Sequence, residues 1–69
     1  MIKIRFRDEF IKSFLKNREM SVQEFCVHCG ITQEEYDELM SGKNYNLITI
    51  IKIGSFINLK VRHFFEEVK

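Results

Sequence analysis

Residues 21–43 read SVQEFCVHCGITQEEYDELMSGK, and this stretch decides the fold. It holds one helix-start signal twice, at Ser21 and Thr32. Ser21 followed by Glu24 is a capping box: the hydroxyl accepts from an orphan backbone N–H, and the carboxylate reaches back to the N–H of the cap. Thr32 followed by Glu35 repeats the device. Each box has its hydrophobic staple, Met20 with Phe25 and Ile31 with Tyr36. Gly30 can take the left-handed backbone that ends the first helix, and Gly42 can end the second. The stretch therefore predicts helix, tight turn, helix.

The whole chain has 69 residues, which allows one domain with a modest core. It is 45% hydrophobic with seven Phe, which excludes a disordered tail. No Pro and only three Gly favour helices joined by brief turns, so an all-α class is expected. No apolar run reaches the roughly 18 to 20 residues that span a bilayer, and the N-terminus alternates charge with apolar residues, unlike a signal peptide. No membrane association and a cytoplasmic location are expected.

Working outward, residues 1–7, MIKIRFR, alternate Ile2, Ile4 and Phe6 with Lys3, Arg5 and Arg7, the period of a strand. In a helical domain this segment remains an extended arm, merges into the first helix, or pairs with the same strand of a second subunit. The domain proper is expected over residues 8–69. Phe10, Ile11, Phe14 and Leu15 predict an amphipathic helix over 8–19, with Asp8 and Glu9 at its positive end. Helices follow at 22–29 and 33–41, the latter burying Tyr36, Leu39 and Met40. Asn44 or Asn46 can cap a fourth helix at 47–57, although its β-branched content also suits a strand. Asn58 is a left-handed terminator, after which Leu59 and Phe64 staple a fifth helix over 60–68.

Cys26 and Cys29 form a C-x-x-C around His28, a spacing used in redox and zinc sites. One helical turn apart on the face of Phe25, they read as small buried residues, with His28 directed to solvent. A zinc site needs four ligands, and the only other histidine, His63, lies in a distant apolar segment. Neither metal nor cofactor is expected. No nucleophile–base pair or phosphate loop is visible, so an enzyme is not expected either.

The residues carry a pattern that resembles the Cro/cI-type helix-turn-helix domain of lambdoid phage repressors and Xre-like regulators. In MSVQEFCVHCGITQEEYDELMSGK, Phe25-Cys26 stands where that family has Leu-Ala, and Gly30-Ile31-Thr32-Gln33 matches its turn and the start of its recognition helix. Downstream, IGSFINLKVRHFF is similar to its last two helices, with Ile57-Asn58-Leu59 for Leu-Gly-Val. The resemblance covers about Phe10 to Phe65 and implies a five-helix, lambda-repressor-like domain that binds double-stranded DNA, with a homodimer expected. By matched position, Gln33 reads bases, and Glu34 and Asp37 also face the groove. Lys43 and Asn44 match the loop that grips phosphate, with Ser21 and Gln23 at the start of the second helix and Arg18 beside them. The chain departs from the family at Val22, where many members have a polar residue, and at Leu15, where a basic one is common.

The charge map runs the other way. Residues 1–18 hold six basic and two acidic residues, net +4; residues 19–42 hold six acidic and no basic, net −6; residues 43–69 hold five basic and two acidic, net +3. An acidic helix entering the groove has to be offset by Lys16, Arg18, Lys43 and Lys52 around it. The rival expectation is a helix-turn-helix unit that has left DNA and binds a protein partner through its acidic third helix or through Val22, Val27 and Tyr45.

Overall fold

A computed structural model describes residues 3–68; Ile2, which opens the alternating segment, and Lys69 lie outside the described residues. In order, the elements are β1 (Lys3–Phe6), α1 (Glu9–Arg18), α2 (Val22–Cys29), α3 (Gln33–Met40), α4 (Leu47–Ile57), the 3-10 turn η1 (Val61–Phe64) and β2 (Phe65–Val68). The strands pair antiparallel, with Phe6 opposite Phe65, Arg5 opposite Glu66 and Lys3 opposite Val68.

This corrects the all-α, five-helix expectation. The segment expected as a fifth helix is a single 3-10 turn followed by a strand, and that strand is the ladder partner of β1. Two short segments at opposite ends of the chain, the alternating β1 and the Phe65–Val68 strand, satisfy each other's backbone groups, which neither does alone. Side chains add to the pairing. Arg5 Nε donates to Glu66 at 2.7 Å and its Nη2 to Glu9 at 2.8 Å. Phe6 stacks on Phe64 at 5.8 Å and meets Phe65 edge-on at 5.6 Å. Packing the buried Phe6 and Phe64 rings together with the half-buried Phe65 favours the strand over a continued helix.

Local chemistry sets the starts of α2, α3 and α4. Ser21 and Thr32 both form complete capping boxes, and the Asn46 side chain accepts from the N–H of Ile48 and of Thr49. Gly30 and Asn58 are left-handed, at φ +76° and +65°. Asp8 precedes α1 without a side-chain cap and pairs instead with Lys12 at 3.1 Å. Glu19 ends α1 at φ +51°, a conformation that nothing in its side chain announces.

Ile11, Phe25, Leu39, Ile50, Ile53 and Phe64 form the fully buried centre. Gly54 allows α4 to meet the chain that follows it, since a Cβ there would run into the Leu59 carbonyl and the Phe64 ring. Among the described residues no helix is long and apolar enough to cross a membrane.

Candidate nucleic-acid interface

The α2–α3 unit is locked at each joint. The Glu24 N–H donates to Ser21 Oγ at 3.2 Å and the Glu35 N–H to Thr32 Oγ1 at 3.1 Å, with the carboxylates returning the bond at 3.3 Å and 2.9 Å. In the turn, the N–H groups of Gly30 and Ile31 both donate to the Cys26 carbonyl, at 2.9 Å and 3.0 Å. Ile31 and Tyr36, the second staple, are both buried. These bonds satisfy orphan groups at the helix ends and fix the angle at which α3 leaves the turn.

Successive residues of a helix turn by about 100°. Tyr36 and Leu39 are buried, and Gln33, Glu34 and Asp37 lie together on the exposed side of α3. The three residues expected to read bases thus share one outward face. The remaining acids of α3 are engaged within the fold. Glu35, besides its cap, accepts from the Thr49 hydroxyl at 3.3 Å, and the Thr32 N–H foremost holds its carboxyl below the ordinary value of 4.5. Glu38 accepts from the Asn44 side-chain amide at 3.4 Å, while its carbonyl receives the N–H groups of Lys43 and Asn44.

The residues expected to touch phosphate fare unequally. Ser21 and Gln23 are exposed at the start of α2, and Lys43 is exposed just beyond α3. The Asn44 amide is turned back to Glu38, leaving the Lys43 ammonium as the donor of that loop. Arg18 is exposed with its guanidinium 5.1 Å from the Phe14 ring, a cation–π contact that orients it. Among the described residues Lys16, Arg18 and Lys43 enter no ion pair, whereas Arg5, Arg7 and Lys12 do. The positive charge of Arg5 and Arg7 is therefore offset by Glu9 and Glu66.

The thiols belong to the core. Cys26 and Cys29 are free and buried, and burial pushes the Cys29 thiol up to about 12. Its thiolate is scarce at neutral pH, which makes it a poor nucleophile. His28 lies flat on Phe56, with ring centroids 5.3 Å apart and planes 4° from parallel. Among the described residues no three His, Cys, Asp or Glu side chains are placed to hold a metal ion.

Two contacts that orient α3 escaped the sequence: Thr49 on Glu35, and Lys52, whose ammonium donates to the Gly30 carbonyl at 3.3 Å. Both link α4 to the α2–α3 unit across distances that no local pattern records. Compared with protein-family models, curated proteins and solved structures, the chain matches none.

Proposed function

We propose that this protein is a small, non-enzymatic DNA-binding regulator that inserts α3 into the major groove. The observation that carries the reading is the outward grouping of Gln33, Glu34 and Asp37 on a helix braced from behind by α4. Gln33 has the amide that pairs with adenine N6 and N7, and Glu34 the carboxylate that accepts from cytosine N4. Arg18, Ser21, Gln23 and Lys43 supply the phosphate side of the contact. The likeness of residues 20–43 to Cro/cI-type regulators supports the same docking. One recognition helix covers few base pairs, so the regulator acts as a homodimer on half-sites about 34 Å apart.

Titration against random duplex at two salt concentrations tests the reading. Affinity that falls steeply with salt is the expected result, because cations replace counterions on the phosphates. No binding at low salt overturns it.

A second reading is favoured by one feature: the outward face of α3 carries two carboxylates and no cation. A protein partner with a basic surface would meet that face. Reversing Glu34 and Asp37 to Lys abolishes capture of such a partner, whereas under the first reading it removes the Glu34 contact to cytosine but strengthens non-specific binding to duplex.

A further inference from the structure

α4 is apolar around most of its circumference. Thr49, Ile50, Ile53 and Gly54 face inward and are buried, yet Leu47, Ile48 and Ile51 are 57%, 64% and 51% exposed. At about 100° per residue, Leu47, Ile51, Ser55 and Ile48 follow one another across a single arc opposite the buried side. A helix with apolar residues on both sides is normally enclosed, and α4, at 11 residues, is too short to span a bilayer, which takes about 20. The patch continues beyond the helix. Tyr45, half-exposed just before it, lays its ring against Phe6 and Phe65, and Ile4, 70% exposed, stands on the same face of β1 as Phe6.

We infer that this surface receives a second copy of the chain, with α4 packed antiparallel on α4 about a two-fold axis at Ile51. Three properties select a copy of itself over a different partner. The first is charge: the arc has no acid, and its one cation, Lys52, sits at the margin with its ammonium on the Gly30 carbonyl. The surface therefore meets its copy without like charges in apposition. The second is area. Half-exposed side chains of this size leave on the order of 100 Å² each, so Ile4, Tyr45, Leu47, Ile48 and Ile51 offer on the order of 500 Å² per copy. That matches the apolar part of the roughly 800 Å² that each subunit buries in a standard interface. The third is shape. About an axis at Ile51, Leu47 of one copy falls opposite the small Ser55 of the other, which lets the helices approach to the usual 8–10 Å or so.

The inference deepens the homodimeric-regulator reading by naming the face that joins the copies, but it fails separately, because α3 takes no part in the contact. Sedimentation equilibrium of the full chain from micromolar to millimolar concentration tests it. The unaltered protein is expected to dimerise, and Ile48→Glu and Ile51→Glu to be monomeric with unchanged circular dichroism. Ile51→Cys is expected to form a disulfide-linked dimer in air, whereas Val27→Cys, 78% exposed on α2, does not. A monomer throughout overturns the inference and leaves the stripe to another partner; a dimer that survives both Glu variants overturns the face. If the Glu variants unfold, the two Cys variants decide. Gln33→Ala leaves the dimer intact whether or not the protein binds DNA.

Discussion

The buried hydroxyl of Thr49, on α4, donates at 3.3 Å to the carboxylate of Glu35, which also closes the cap of α3. One side chain thus joins a local device to a tertiary contact. Both bonds are stronger to the ionised carboxylate, whose pKa in the fold lies below its ordinary value of 4.5. The folded chain therefore binds fewer protons here than the unfolded chain. The resulting stability is present above 4.5 and is lost as pH falls through the lowered value. Glu35→Gln is expected to flatten the acid limb of a plot of urea midpoint against pH, and an unchanged acid limb would show that the contact is inert.

Gly30 and Gly54 are expected to respond differently to alanine. At Gly30 nothing lies within 4 Å of an added Cβ, so Gly30→Ala meets only the left-handed backbone penalty, about 1–2 kcal/mol. Gly30→Asn is expected to recover part of it. At Gly54 the Cβ meets the Leu59 carbonyl and the Phe64 ring, and overpacking of this kind costs about 1–3 kcal/mol, with the α4–η1 junction displaced. Urea unfolding gives both costs, and Phe64 resonances report displacement only in the second variant.

Phe6 joins the sheet to the helices. It is 7% exposed and packs on Phe64, Phe65 and Tyr45. Phe6→Ala is expected to cost about 3–5 kcal/mol, a large share of the stability of so short a chain. Hydrogen exchange should then accelerate in both β1 and β2, because each strand depends on the other. Loss of protection in β1 alone would contradict that pairing.

On DNA, Gln33→Ala is expected to cost about 1–3 kcal/mol at the preferred site and to relax its sequence preference. Lys43→Ala is expected to weaken all sequences alike and to flatten the salt dependence. Asp37→Lys should strengthen non-specific binding. It is a cleaner reversal than Glu38→Lys, which would also release Asn44. Electrophoretic mobility shifts on matched and random duplexes separate these outcomes, and a DNA affinity that none of the three variants alters would exclude α3 as the reading helix.

Ser21, Glu24, Thr32 and Glu35 mark two helix starts, Gly30 and Asn58 mark helix ends, and Asn46 opens α4. Each works through backbone groups a few residues away, so the sequence alone marks the starts of α2, α3 and α4 and the outward face of α3, whereas the end of α1 at Glu19 carries no such mark. The C-terminal strand was beyond that reach. Phe65 to Val68 becomes β2 because β1 supplies its ladder and Glu66 holds Arg5, contacts between opposite ends of the chain. The Asn58 terminator and the Leu59–Phe64 staple described residues 60–68 in isolation, whereas the partner strand decided their state. The engagement of Lys52 by Gly30 and of Glu35 by Thr49 likewise arises only when the helices are packed. Local hydrogen bonds are written in neighbouring residues, and long-range pairing depends on which surfaces the fold brings together.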